Sequence, residues 1–211
     1  MVAAYLREIG IDFVPLPPAE DAAPPAGETL EEIRAELTDC RRCGLCPGRR
    51  NIVFGTGHPD ARLMFVGEGP GVEEDRQGEP FVGAAGKRLN LWIERIGLAR
   101  ESVYIANIVK CRPPGNRAPL PEEAAACLPF LRRQIRSVRP EVLCTLGAVA
   151  LNVLLTNDDR ITRARGRWRE LDGIPVIPTY HPAYILRNAA KEPEVFEDFD
   201  RIAERLGLRP G

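Results

Sequence analysis

Four short apolar runs are spaced along the chain: ARLMFVGEG (61–69), SVYIANIV (102–109), EVLCTLG (141–147) and IPVIPTYHP (174–182). None alternates cleanly between apolar and polar residues, so each predicts a strand buried on both faces. That situation arises in parallel sheets covered by helices on both sides. The intervening segments supply the helices. GKRLNLWIERIGL (86–98) places Leu89, Trp92, Ile93 and Ile96 on one face and ends at Gly97, a helix-stop signal. PEEAAACLPFLRRQIRSV (121–138) opens with a proline at the helix start and continues through an awkward Pro129. AVALNVLL (148–155) and PEVFEDFDRIAERLGL (193–208) complete the set, and ETLEEIRAELTD (28–39), with Leu30, Ile33 and Leu37 at helical spacing, precedes it. The expected fold is α/β: a three-layer α/β/α sandwich around a central, mainly parallel four-stranded sheet. In such sheets sites form at the carboxyl ends of the strands. GEGPG (67–71), Asn107, Gly147 and His181 all fall there.

Residues 15–27, PLPPAEDAAPPAG, have the composition of a linker. The chain therefore divides into an N-terminal extension and linker (1–27), in which 1–14 could form a turn or two of amphipathic helix, and one domain (28–211). No apolar run approaches the ~20 residues of a membrane span, and MVAAYLREIG lacks the basic and apolar regions of a signal peptide. A cytoplasmic, reducing location is expected, where six cysteines are free, metal-bound or catalytic in preference to disulfide-bonded. Net charge is −1, but Lys110 to Arg169 holds twelve Lys/Arg against five Asp/Glu, a net of +7. Such a sector is either a nucleic-acid footprint or a solvated arginine-rich face.

Cys40-x2-Cys43-x2-Cys46 has the spacing that lets sulfurs reach one zinc or iron–sulfur centre. Cys111, after the second apolar run, and Cys127, within a helical segment, can complete a four-thiolate site. Cys40 with Cys43 is the favoured first pair, Cys46 the surplus member. Cys144 lies inside an apolar run and reads as core. Spacing does not separate zinc from iron–sulfur.

GEGPG is not a dinucleotide fingerprint: it lacks G-x-G-x-x-G, Pro70 opposes a helix start at that point, and no GK[ST] follows. A tight loop of this kind brings backbone N–H groups close to a small ligand. Glu68, at the strand end, either caps the loop or activates water or stabilises a cation.

Taken in order, GEGPG-x2-ED (67–75), GEPFVGAAG (78–86), NIVKCRPPGNRAP (107–119) and TYHPAYILR (179–187) resemble the family 4 uracil-DNA glycosylases, the iron–sulfur members of their superfamily. The resemblance spans about residues 36–208. It implies the same α/β/α fold and a [4Fe-4S] cluster on Cys40, Cys43, Cys111 and Cys127. It further implies that Phe81 stacks on an extruded uracil, that Asn107 pairs with the uracil edge and that His181 sits near O2. Glu68 would serve the attacking water or the sugar cation, and Glu74 would crowd the C5 position.

These residue types suit removal of a base. The glycosidic carbon is out of reach inside the stack, so the nucleotide must be flipped, and an aromatic face then receives the base. An amide at Asn107 can accept from uracil N3–H and donate to O4, the reverse of what cytosine presents. Donors at His181 and at the N–H groups of the 67–71 loop, Gly69 among them, can meet charge developing on the base oxygen. Tyr184, Ile185 and Leu186, read as a loop after His181, can wedge into the duplex, or else begin a helix and pack inward. Arg117, Arg187 and the Arg163/Arg165/Arg167 alternation are phosphate candidates; in an extended segment those three would point one way. No lysine for a Schiff base lies in the expected pocket motifs, and no histidine lies in 112–123, where a covalently trapping branch carries one. Glu68 sets the chain apart from the hypoxanthine-processing branch. The expected partner is uracil-containing DNA, single- or double-stranded, acted on by a monomer with no membrane association.

Overall fold

Each of the four apolar runs lies inside one six-stranded sheet. The computed structural model describes residues 27–208, so the reading of residues 1–26 lies outside the described residues. In chain order the elements are α1 (Leu30–Leu37), β1 (Thr56–Gly57), β2 (Leu63–Gly67), α2 (Val72–Gln77), α3 (Ala84–Arg95), β3 (Tyr104–Asn107), α4 (Pro121–Val138), β4 (Val142–Leu146), α5 (Ala148–Leu155), α6 (Ile161–Ala164), β5 (Arg169–Leu171), β6 (Ile174–Thr179), α7 (Pro182–Arg187) and α8 (Glu192–Arg205).

The sheet order is β1-β3-β2-β4-β6-β5. The inner four strands are parallel, and β1 and β5 are antiparallel edges. The expected parallel core of four strands is therefore present, but the sheet has six. The two extra strands are two and three residues long, and β5 carries Arg169 and Glu170 at an exposed edge, so neither shows an apolar run.

Side chains alternate across a strand, and both faces of β2 are buried. Leu63 and Phe65 join Trp92, Ile93, Phe199 and Ile202 on the α3/α8 side. Met64 and Val66 join Leu131, Ile135, Ala150 and Leu154 on the α4/α5 side. Cys144 is fully buried in β4, as expected. Outside α4, α1 packs Ile33 and Leu37 against Phe54 and Phe130. Arg133 of α4 reaches over it to Glu28 and Glu36 at 2.5 Å each. α4 runs through Pro129 without interruption.

β3 and β4 flank β2 on opposite sides, which makes the carboxyl end of β2 a topological switch point where open α/β sheets bind ligands. Pro70 does not prevent a helix two residues on, because α2 begins after Gly71. Among the described residues, no helix is long and apolar enough to cross a membrane.

Candidate active site

Asn107 ends β3 directly beside Gly67, which ends β2. It is 1% exposed, and its side-chain oxygen Oδ1 has no hydrogen-bond partner among the described residues. An unpaired buried carbonyl costs about 1–3 kcal/mol. This one borders a cleft of about 440 Å³ that Glu68, Gly69, Glu74, Phe81 and His181 also line. A more open groove of about 750 Å³ lies at the amino ends of β4 and β6, beside Glu141, Trp168 and Arg205, and holds none of the motif residues.

The Phe81 ring lies 5.7 Å from the His181 ring, tilted by 35°. Phe81 is held at φ +54°, a left-handed backbone unusual outside glycine and costing of order 1–3 kcal/mol. Two glycines make room for it. A Cβ at Gly67 would sit 2.6 Å from Phe81 Cζ and against Asn107 Oδ1, and one at Gly86 would collide with the Phe81 carbonyl. Glu74 fixes the same loop: its carboxylate accepts from the backbone N–H of Gly71 (3.1 Å), Val82 (3.0 Å) and Gly83 (2.9 Å).

His181 caps the N-terminus of α7, its Nδ1 accepting from the Ala183 N–H at 3.1 Å. Desolvation, with Arg187 adding to it, pushes its pKa down to about 4. The ring is thus neutral near pH 7, and with Nδ1 occupied as an acceptor its proton resides on Nε2, a donor. Burial raises the Glu68 carboxyl above its usual range. The histidine shift has a consequence for stability. The unfolded chain takes up a proton near pH 6.5 that the folded chain refuses until about pH 4. Stability from this group is therefore present above pH 6.5 and lost as pH falls towards 4, by at most roughly 3 kcal/mol before solvent screening of the partly exposed ring. Chemical denaturation of His181→Gln at pH 7 and pH 5 should show a shallower decline than the unsubstituted protein. An identical decline contradicts this assignment.

Several expected DNA contacts are corrected. Arg165 does not face outward. Its side chain is 14% exposed and its guanidinium pairs with the buried Asp198 at 2.6 Å, with Glu194 and Glu197 nearby. The segment is not extended either, since Arg163 lies in α6 and Arg165 ends it, so the Arg163/Arg165/Arg167 alternation does not form one face. Tyr184 to Leu186 form part of α7 and not a loop. Ile185 is 1% exposed and belongs to the core, which removes it as a wedge. Tyr184 lines the cleft, and Leu186 is 44% exposed. Arg187 lines the cleft mouth. Arg117 also lies at the cleft but holds Glu123 through two bonds of 2.7 and 2.8 Å. No lysine is among the cleft-lining residues described.

Five of the six cysteines gather at a second cavity. Cys40, Cys43, Cys46, Cys111 and Cys127 surround a small, largely enclosed cavity together with Arg42, Arg49 and Lys110. Cys127 interacts electrostatically with Cys43 and Cys40, and Cys111 with Cys127 and Cys43. Guanidinium groups reach two sulfurs, Arg42 to Cys40 at 3.4 Å and Arg49 to Cys111 at 3.5 Å. Burial pushes the Cys111 thiol up to about 11, with Arg49 pulling the other way, and burial likewise raises Cys127. Among the described residues no group of three or more His, Cys, Asp or Glu that could hold a metal ion is present. Lys110 is 1% exposed, and burial lowers its pKa to about 8, with Cys127 beside it pulling the other way. Lys110, Arg49 and Asp75 also shape this region, though no motif gives them a role. For Lys110 the signal was a lone cation within an otherwise apolar run. The buried Asp75, which accepts from the N–H groups of Arg50 and Asn51, ties the cysteine segment to α2.

Residues 54–206 match the uracil DNA glycosylase superfamily. A type-4 uracil-DNA glycosylase of Thermotoga maritima is 47% identical over 180 residues, covering 82% of this chain and 93% of the relative. A type-4 uracil-DNA glycosylase of Sulfurisphaera tokodaii is 45% identical over 192 residues, covering 87% of each. One from Archaeoglobus fulgidus is 43% identical over 190 residues, covering 86% of this chain and 96% of the relative.

Proposed function

The chain belongs to the uracil DNA glycosylase superfamily, in its type-4 branch, and from that premise we propose that it hydrolyses the N-glycosidic bond of uracil in DNA, without lyase activity, as the first step of base excision repair in the cytoplasm. The observation that carries this reading is the unpaired, buried Asn107 Oδ1 on a cleft walled by Phe81 and His181. A uracil flipped into the cleft would stack on Phe81, give its N3–H to Asn107 Oδ1 and accept at O4 from the Asn107 amide. Cytosine would meet acceptor with acceptor and donor with donor. Glu74, pinned at the cleft wall, would leave no room for the thymine methyl group.

Breaking the bond leaves negative charge on the base and positive character on the sugar. The His181 Nε2–H would meet the first at O2, with the Gly69 N–H beside it. Glu68 would serve the second, or orient the water. Arg187 and Arg117 would take phosphates, and Leu186 would enter the gap left by the flipped base.

The thiol set fits a [4Fe-4S] cluster on Cys40, Cys43, Cys111 and Cys127. The cavity's cationic rim would balance a thiolate-bound centre, and Cys46 would stand by without being a ligand. Bound there, the cluster would supply no chemistry to the base; it would tie the segments around residues 40, 111 and 127 together.

The test is a uracil-containing oligonucleotide incubated with the protein and then with alkali. Strand cleavage with release of free uracil is expected, from uracil and not from cytosine or thymine. Asn107→Ala should lower kcat/KM by roughly tenfold to a hundredfold, the loss of one to two buried hydrogen bonds. An intact strand at high enzyme, or Asn107→Ala as fast as the unsubstituted protein, would overturn the proposal.

A further inference from the structure

A buried ammonium is costly unless an anion answers it. Lys110 has no carboxylate partner among the described residues. Among the described residues its one side-chain hydrogen bond runs from Nζ to the main-chain carbonyl of Asn107, at 2.8 Å. On its other side are sulfurs: Lys110 lines the thiol cavity with Cys111 and Cys127, and Cys127 is near enough to act on its ammonium. The chain around it is pinned by main-chain bonds, from Ile108 N–H to Gly67, Val109 N–H to Glu68 and Val53 N–H to the Lys110 carbonyl. Lys110 therefore stands between the residue that would read the base and the residues that would hold the cluster, touching both.

We propose that Lys110 is a positioning residue that couples the two: the thiolate centre supplies its counter-charge, and its ammonium clamps the Asn107 carbonyl so that the amide faces the cleft. This rests on the cluster reading above. The coupling explains how a lysine is kept deep in the fold with a single neutral acceptor. It gives the cluster an electrostatic hold on base recognition in addition to a mechanical one.

The experiment compares the unsubstituted protein with Lys110→Met and Lys110→Arg, all purified anaerobically with iron. Iron per chain, the cluster's midpoint potential and single-turnover uracil release are measured on each. Iron in the unsubstituted protein, determined alongside, separates a failure of the cluster reading from a failure of this one. Lys110→Met should retain iron, show a more negative midpoint potential because a cation that favours the reduced centre is gone, and release uracil at least tenfold more slowly. Lys110→Arg should restore the potential and recover most of the rate. Lys110→Met with unchanged potential and rate overturns the proposal, as does Lys110→Arg impaired in both like Lys110→Met. If Lys110→Met does not fold, the potential of Lys110→Arg decides: parental supports the proposal, shifted overturns it.

Discussion

Replacing His181 by alanine is expected to lower kcat for uracil release by roughly 10²- to 10³-fold, the usual cost of removing one preorganised donor to a developing oxyanion, about 3–4 kcal/mol. Because Nδ1 accepts from the Ala183 N–H, the neutral ring carries its proton on Nε2, the nitrogen left to donate to a base in the cleft that His181 lines. Because the pKa lies at about 4, the ring stays neutral through the working range. A neutral donor gains most when negative charge appears on the base, so the loss should fall on kcat, with KM little changed. His181→Gln, which can still donate, should recover part of the rate. Titration of this group should leave kcat flat above about pH 5. Unaltered kcat in His181→Ala, or an acid limb near pH 6.5 that vanishes in His181→Gln, would contradict this role.

The second large effect concerns the cysteines. Cys111→Ala should lose iron and lower the melting temperature by roughly 10 °C or more, because cluster binding is folding free energy and each kcal/mol is worth about 2–4 °C in a domain of this size. Cys111 is buried four residues after Asn107, so its loss frees the segment leaving the site. Cys46→Ser serves as the control. Cys46 borders the same cavity but is the surplus member of the C-x2-C-x2-C run, so that variant should keep its iron and its melting temperature. Full iron in Cys111→Ala, or iron lost from Cys46→Ser, would redraw the ligand set.

The layered fold was legible because a strand buried on both faces leaves an unbroken apolar run, and all four inner strands have one. β1 and β5 left no such trace, being short and half exposed. α7 was legible in principle: Pro182 at its first position is a helix-start signal. With the helix in place, the one-turn spacing sends Ile185 inward and leaves Leu186 outside. Arg165 was out of reach, because its partners Glu194 and Asp198 lie about thirty residues further along and only the packing of α8 brings them together. Most of the cleft was readable because its residues end strands. Lys110 was not singled out, since a charge within an apolar run acquires meaning only when its neighbours in space are known.

The central claim is that Asn107, Phe81 and His181 form one pocket for an extruded uracil. A crystal structure of the protein with uracil bound tests it most directly. The ring should stack on Phe81, with N3–H on Asn107 Oδ1 and O2 facing His181 Nε2. Uracil bound elsewhere, or bound in the cleft with Asn107 Oδ1 still unpaired, would contradict it.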